Sequence, residues 1–278
     1  MAGNFWLSSH CNQWIWDREE LDIDRREDVL KLGSIANYQK VMTLLINFIQ
    51  EIGEKIPVRQ QVIATATTYF KRFYTKYGLK SVDPILMAPT CLILAAKVEE
   101  SGSIPGGSNK IINNTQSALK RFPCFEGNDF IYTVKSLTMA EFYLLECMDC
   151  CLIVYNPYRP LLQYVEDFGH REKVLQLAWR ICNDLLRTDV PLIYAPHQQA
   201  LAALYMSAIS LDIDCRQWFV ELTVPMDPIV DIVNELMVFY GLMRPYNEGK
   251  GNSIEKSQEA KELYQRTPKP VIKEPSRN

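Results

Sequence analysis

Cysteine and histidine residues are the first candidates for chemistry in this chain, because thiolates and imidazoles bind metals and act as nucleophiles. Cys147 and Cys150 have the Cys-x-x-Cys spacing of a zinc or redox site, and Cys151 follows directly. No second pair lies at ligand spacing. The three histidines are scattered, at His10, His170 and His197. We therefore interpret the eight cysteines as reduced thiols, most of them small core residues, and expect no metal and no cofactor.

A glycine-rich segment, residues 101–109, is the second candidate, because loops of this kind cradle phosphates. Gly102 and Gly107 have suitable spacing, but Ser108 and Asn109 stand where a lysine and a serine or threonine are required. We interpret the segment as an ordinary loop. The chain also has no Ser/His/Asp or Cys/His grouping for covalent catalysis. These patterns indicate a noncatalytic protein rather than an enzyme.

Charged residues at the end of an apolar stretch form the third candidate. Residues 84–98 are apolar around almost the whole helical circumference, which predicts a helix wrapped by other helices. The stretch ends in Lys97, Glu99 and Glu100. Carboxylates at a helix C-terminus oppose the macrodipole, so Glu99 and Glu100 do not serve helix stability alone. We predict that this charged end meets a partner; the alternative for Lys97 is that it only stabilises the dipole.

Spacings of three and four residues between apolar positions recur along the chain, without strand alternation, and predict an all-α fold. In the first half we expect helices over 38–56, 62–77, 84–98, 111–122 and 130–152. In the second half we expect helices over 160–168, 172–187, 196–211, 215–222 and 228–243. The third helix of each set is apolar nearly all round. The pattern therefore indicates two consecutive five-helix domains.

These patterns divide the chain into four parts. Residues 1–28 are expected to be an aromatic N-terminal helix and a charged linker, and residues 29–156 and 157–243 the two domains. Residues 244–278 are expected to be a mostly disordered tail, with at most a short helix near 254–265. The N-terminal tryptophans either fold back on the core or dock on a partner.

Composition argues against several function classes. The formal net charge of −3 argues against a surface that coats DNA or RNA. No stretch approaches the ~18 uninterrupted apolar residues of a membrane span. The N-terminus lacks the basic leader of a signal peptide. A hydrophobic content of 47% instead supports a globular protein with large cores.

Two consecutive five-helix units, each with a central apolar helix, resemble the cyclins. The resemblance rests on residues 95–100, Ala-Ala-Lys-Val-Glu-Glu, and residues 141–145, Glu-Phe-Tyr-Leu-Leu, which are similar to the cyclin-box signature. Further segments are closely similar to a transcriptional member of the family: residues 1–6, 59–66, 148–155 and 157–165. The resemblance covers residues 1 to about 243 and does not extend to the tail.

This resemblance implies a noncatalytic activator of the cyclin-dependent kinase in the Mediator kinase module, acting on RNA polymerase II transcription in the nucleus. The implied partners are that kinase and other Mediator subunits, without direct contact to nucleic acid or membrane. Lys97 and Glu141 are implied as a polar clamp on the regulatory helix of the kinase. The apolar residues around this clamp would be Leu94, Val98 and Leu145.

Two further sites are expected beside the clamp. An aromatic N-terminal contact with the kinase would use Phe5, Trp6, Trp14 and Ile15. A groove on the second domain would use Trp179, Asn183, Asp184 and Tyr240, although the favoured explanation for these residues is that they are satisfied core polar residues. For Glu141 the alternative is a capping box with Thr138.

Two other function classes are alternatives to the cyclin interpretation. A two-domain transcription factor that bridges polymerase and promoter DNA predicts a basic face, and the net charge counts against it. An enzyme requires a catalytic grouping, and the sequence offers none.

Overall fold

The computed structural model describes residues 3–100, 107–125, 129–169, 171–247 and 253–268. The described residues form helices and no strand, which confirms the predicted all-α fold. The helices of the N-terminal part and the first repeat are α1 Ser9–Gln13, α2 Arg18–Asp24, α3 Arg26–Leu32, α4 Ile35–Lys55, α5 Gln60–Tyr77, α6 Pro84–Val98, α7 Gly107–Leu119 and α8 Val134–Cys147. Those of the second repeat and tail are α9 Tyr158–Phe168, α10 Arg171–Leu185, α11 Val190–Ile193, α12 Pro196–Ser210, α13 Arg216–Leu222, α14 Asp227–Asn247 and α15 Gln258–Arg266. Short 3₁₀ turns occur at Phe5–Leu7, Pro123–Phe125 and Ile254–Lys256.

Each repeat is built around one buried helix, α6 in the first and α12 in the second. Every residue of α6 from Met87 to Ala96 is buried. The helix begins as predicted, since Asp83 accepts a hydrogen bond from the Ile85 amide at 2.9 Å and Pro84 is the first helical residue. No described helix combines the length and apolar character required to span a membrane. The burial of α6 leaves its charged C-terminus as the part that reaches the surface.

Two helices of the first repeat begin elsewhere than predicted. Helix α7 begins at Gly107, inside the segment expected to be a loop; residues 101–106 lie outside the described residues. Helix α8 begins at Val134 rather than at residue 130, because Thr133 and Ser136 cap it reciprocally. This capping box lies one turn before Thr138. Glu141 is therefore an interior helical residue, and the capping-box alternative for it is wrong.

The charged run that was expected to be a linker is helical, as α2 and α3. Arg25 fixes this segment, because its buried guanidinium pairs with Asp22 at 2.8 Å and with Asp189 of the second repeat at 2.6 Å. Farther toward the N-terminus, the amide of Trp16 donates to the carbonyl of Leu192 at 2.9 Å. The N-terminal part therefore packs along both repeats.

The described part of the tail contains a short helix, in the region near 254–265 where the sequence allowed one. Residues 253–268 form a 3₁₀ turn and α15, which pack against α4 and the Pro123–Phe125 turn. Ala260, Leu263 and Tyr264 lie on one side of α15 and are buried. Three apolar positions in an otherwise polar segment predict packing only weakly, because the sequence does not show which surface would bury them. Residues 248–252 and 269–278 lie outside the described residues.

Candidate functional site

Lys97 and Glu141, which are 44 positions apart in the chain, meet where the end of α6 lies against the middle of α8. The Lys97 ammonium donates to both carboxylate oxygens of Glu141, at 2.5 and 2.8 Å. The Lys97 side chain is 61% exposed, whereas that of Glu141 is 14% exposed. Glu141 is therefore fixed against the protein, and Lys97 presents the accessible side of the ion pair.

The two other carboxylates at the end of α6 have different surroundings. Glu99 accepts hydrogen bonds from Gln61 and Thr65 of α5, each at 2.6 Å. Thr65 in turn accepts a hydrogen bond from Asn156, in the connection between the repeats, at 2.9 Å. Glu99 thus joins α5 to α6 inside the chain. Glu100 is exposed, with a backbone φ of 46°.

The apolar residues predicted around the clamp differ in accessibility. Leu94 is 3% exposed and belongs to the core of its own chain, so a partner cannot reach it without local unfolding. Val98 and Leu145 are half-buried, so part of each side chain is accessible at the protein surface. The outer surface of α8 instead presents large apolar side chains that the sequence analysis did not select: Met139, Phe142 and Tyr143, with exposed fractions of 62%, 65% and 39%.

A sequence signal for these residues existed. Met139 and Phe142 are three positions apart, on the side of α8 away from the buried residues Ala140 and Leu144. Exposed large apolar residues that cluster on one helix face are typical of an interaction surface. The candidate site, here called the α6–α8 surface, therefore consists of the Lys97–Glu141 pair and the apolar outer face of α8.

Trp14 of the N-terminal segment folds back on the core. Its side chain is 3% exposed, and its ring lies 5.0 Å from the Arg72 guanidinium carbon and 5.6 Å from the Lys76 ammonium. Burial lowers the pKa of Arg72 to about 9, and its guanidinium nitrogens have no hydrogen-bond partner among the described residues. Trp14 is therefore not available to a partner, and its neighbour Ile15 is half-buried.

The first N-terminal residues lie against the connection between the repeats. Phe5 is half-buried, with its ring centroid 5.6 Å from that of Tyr155. Trp6 is 61% exposed and lies 5.3 Å from the ring of His197. His10 accepts a hydrogen bond from the Tyr155 amide at 3.0 Å, and burial lowers its pKa to about 3. Of the four aromatic and aliphatic residues predicted to contact a kinase, Trp6 is the exposed one.

The predicted groove residues of the second repeat take part in internal contacts. The ring of Trp179 stacks on Tyr158 at 4.5 Å, and the Tyr158 hydroxyl donates to Asn183 at 2.9 Å. The Tyr240 hydroxyl donates to Asp184 at 2.8 Å, and burial together with this carboxylate raises the pKa of Tyr240. All four predicted residues are half-buried. The polar groups of Asn183, Asp184 and Tyr240 have partners within the chain, and a role for the four residues in partner binding stays a prediction.

The cysteine cluster does not form a metal centre in the described part of the chain. Cys147 is buried, Cys150 is exposed and Cys151 is half-buried, with its thiol 3.1 Å from Gln13 Oε1. Among the described residues, no three His, Cys, Asp or Glu side chains are placed to hold a metal ion. His170 lies outside the described residues.

Each of the two repeats matches a known protein family. Residues 13–153 match the family described as "Cyclin, N-terminal domain", and residues 156–236 match "Cyclin C-terminal domain". Cyclin-C of Drosophila melanogaster is 49% identical over 250 residues, which are 89% of this chain and 92% of that protein. Cyclin-C of Rattus norvegicus is 50% identical over 251 residues, which are 90% of this chain and 87% of that protein.

Solved structures share the fold at lower identity. A chain in the cryo-EM structure of the yeast TFIIK (Kin28/Ccl1/Tfb3) complex is similar with a TM-score of 0.60 and 18% identity, over 84% of this chain and 100% of that chain. A chain in the Chaetomium thermophilum CAK complex bound to ATP-gamma-S gives a TM-score of 0.63 at 16% identity, over 95% of this chain and 88% of that chain. The chain therefore belongs to the cyclin family, the regulatory subunits of protein kinases, and is similar to the cyclin-C members of that family.

Proposed function

We propose that this chain is the activating, noncatalytic subunit of a cyclin-dependent kinase and that the α6–α8 surface binds the regulatory helix of the kinase. The observation that carries the proposal is the Lys97–Glu141 ion pair, which lies beside exposed apolar side chains on the first cyclin domain. The same two residues are implied as the clamp by the cyclin-box signature.

The geometry of the pair leaves hydrogen-bonding capacity for a partner. A lysine ammonium has three N–H donors. Two of them face Oε1 and Oε2 of Glu141, so one is left for an acceptor such as a backbone carbonyl of the kinase. A carboxylate has about four lone-pair sites, so Glu141 has capacity for a partner N–H as well. The pair is therefore suited to hold backbone groups at the end of a helix, which have no partners within that helix.

Apolar contact on α8 would supply the affinity around this polar centre. Phe142 is 65% exposed and Met139 is 62% exposed, so docking of a partner helix would remove large apolar areas from water. Aromatic anchors near the centre of an interface commonly dominate its binding energy. We infer that Phe142 is such an anchor and that Leu94, although near the clamp in sequence, acts through the core.

Activation follows from the two states of a protein kinase. The kinase is active only when the glutamate of its mobile helix pairs with its strand lysine. A partner that binds the inward position of that helix more tightly than the outward one shifts the equilibrium toward the active state. In this proposal the chain supplies no catalytic group and acts through that difference in affinity.

The finer identity of the partner rests on similarity to the cyclin-C proteins. We infer that the kinase is that of the Mediator kinase module, that other Mediator subunits are neighbours, and that the chain acts in the nucleus on RNA polymerase II transcription. Trp6 is proposed as a second kinase contact, because it is exposed beside the connection between the repeats.

Reconstitution tests this proposal. The purified chain is mixed with several cyclin-dependent kinases, including the Mediator-associated one, and complex formation is measured together with phosphorylation of an RNA polymerase II C-terminal repeat peptide. We expect tight pairing and stimulated phosphorylation with the Mediator-associated kinase. Failure to pair with any of the kinases would contradict the proposal, and pairing with a different one would contradict the finer identity.

A matched pair of variants tests the surface. Phe142→Asp on α8 and Val220→Asp on α13 each replace an exposed apolar residue, 65% and 74% exposed respectively, with a charge. We expect Phe142→Asp to weaken kinase binding at least about 30-fold, as for a residue worth about 2 kcal/mol. Val220→Asp should bind like the wild type. Equal affinities of the two variants would exclude the outer face of α8 from the interface.

A further inference from the structure

The C-terminal strap, defined here as residues 253–268, follows the second repeat in the chain but packs on the first. Its apolar side chains lie against α4 and the Pro123–Phe125 turn, and each is 6% exposed or less: Ile254, Ala260, Leu263 and Tyr264. The Tyr264 ring meets Phe125 edge-on, with centroids 4.5 Å apart. Val41 and Leu44 of α4 border the same small pocket as the strap residues Ile254, Ala260 and Leu263.

Polar contacts fix the direction of the strap. Lys40 of α4 donates to Glu259 at 2.6 Å, and the hydroxyl of Tyr246, near the end of α14, donates to the same carboxylate. Lys40 is 16% exposed, so the ion pair is shielded on the α4 side. These hydrogen bonds, that from Lys40 first, hold the pKa of Glu259 below its usual value. Glu259 therefore joins the strap, α4 and α14 at one point.

A second polar contact connects the strap to the region between the repeats. Asn47 of α4 donates to Glu255 of the strap at 2.7 Å and accepts from Arg187 at 2.8 Å. Arg187 also pairs with Asp184 at 3.2 Å, and Asp184 accepts from Tyr240 at 2.8 Å. The position of the strap is thus linked by hydrogen bonds to the predicted groove of the second repeat.

The strap has the properties of a bound peptide. Isolated helices shorter than about 12–15 residues are marginal in water, and α15 has 9 residues, so its helicity depends on packing against α4. The residues of α15 that contact the rest of the chain include the carboxylate Glu259 and three apolar residues that follow it by one, four and five positions: Ala260, Leu263 and Tyr264. This pattern is that of an amphipathic helix in a groove.

We propose that the face of α4 around Lys40, Val41 and Leu44 is a helix-docking site whose occupant is the strap, held in cis and able to leave while both repeats stay folded. Release exposes the apolar face of α4 and breaks the contact between Glu255 and Asn47. The inference concerns a face distinct from the α6–α8 surface and does not depend on kinase binding.

A synthetic peptide of residues 253–268, labelled with fluorescein, tests the site in the full-length chain. Leu263→Asp places a charge on the buried side of α15, whereas Gln265→Asp introduces the same residue on the exposed side of the same turn. A strap that is closed 99% of the time weakens the apparent affinity of a competing peptide about 100-fold. We therefore expect the peptide to bind Leu263→Asp about 100-fold more tightly than either the wild type or Gln265→Asp. Equal affinity for all three proteins, or no binding to a folded Leu263→Asp chain, would overturn the proposal.

A charge swap tests the anchor without touching the core. Glu259→Lys should open the strap and admit the peptide, and the double variant Lys40→Glu, Glu259→Lys should exclude a peptide that carries the same Glu259→Lys change and so complements the Lys40→Glu side chain in charge. Failure of the second change to restore exclusion would show that the ion pair does not hold the strap.

Amide hydrogen exchange in the wild-type chain gives a test that needs no variant. We expect the amides of α15 to exchange at least tenfold faster than those of α6, because the strap opens without global unfolding. Exchange of α15 at the same rate as α6 would mean that the strap opens only when the whole chain unfolds, and would overturn its role as a releasable occupant.

Discussion

Replacement of Lys97 by alanine separates the contribution of this residue to stability from its contribution to binding. In the free chain the Lys97 side chain is 61% exposed, and ion pairs of such residues contribute about 0–1 kcal/mol. We therefore expect a loss of less than about 1 kcal/mol in the free energy of unfolding. For a chain of this size that corresponds to a fall of at most about 2–4 °C in Tm.

In the complex the same truncation should be far more costly. Docking of a kinase helix would desolvate the pair, and removal of one partner of a buried, hydrogen-bonded charge pair costs about 2–5 kcal/mol. That range corresponds to a Kd about 30- to 4,000-fold higher. Charge reversal, as Lys97→Glu or Glu141→Lys, should abolish binding while the helical circular dichroism signal and Tm stay close to those of the wild type.

The assay combines calorimetric titration of the kinase with thermal unfolding of each free variant. Lys173→Ala on α10 is the matched control, because Lys173 is exposed and lies on the other repeat. Lys40 is unsuitable as a solvated control, since it pairs with Glu259. An equal loss of affinity in Lys97→Ala and Lys173→Ala would refute the clamp. A large loss of stability in free Lys97→Ala would refute the separation of the two roles.

Three buried basic side chains give further predictions, each checked by urea denaturation. Between about pH 7.5 and 5.5 the free energy of unfolding should fall by about 1.4 kcal/mol more in the wild type than in His10→Asn. The reason is that His10 takes up a proton near pH 6.5 in the unfolded chain, whereas in the folded chain its pKa of about 3 keeps it neutral. Equal pH dependence of the two proteins would contradict this. Arg72→Met should be neutral or stabilising, because the Arg72 guanidinium is buried without hydrogen bonds and methionine retains contact with Trp14. Arg25→Met should instead cost about 3–5 kcal/mol, because it leaves Asp189 without its buried partner. Similar losses in both arginine variants would show that the pairing of the charge does not decide the outcome.

The sequence predicts those features that depend on local pattern. An apolar circumference of 15 residues requires a surrounding layer of helices, so the position and burial of α6 follow from the residues alone. The repeat of this pattern in α12 indicates the second domain. The meeting of Lys97 and Glu141 does not follow from periodicity, because the residues belong to different helices. It was implied by the family signature.

Other features depend on contacts between distant segments, which no single window of sequence contains. From the sequence, Glu99 resembles a carboxylate that faces a partner. In the fold it accepts hydrogen bonds from Gln61 and Thr65, which α5 places beside it. Trp14 resembles an interface anchor, but its ring is buried and lies against the cationic groups of Arg72 and Lys76 on α5. The sequence allows a short helix in the strap but does not show that the helix packs on α4, the contact on which a 9-residue helix depends for its stability. In each case tertiary packing decides the role of the residue.

Amide hydrogen exchange of the complex tests the central claim most directly. The Mediator-associated kinase and this chain are measured separately and together, and peptides of both proteins are followed. The account predicts protection of the mobile regulatory helix of the kinase and of the segment of α8 that contains Glu141 and Phe142, with little change in α13. Protection confined to the second repeat, with the regulatory helix of the kinase unchanged, would contradict it.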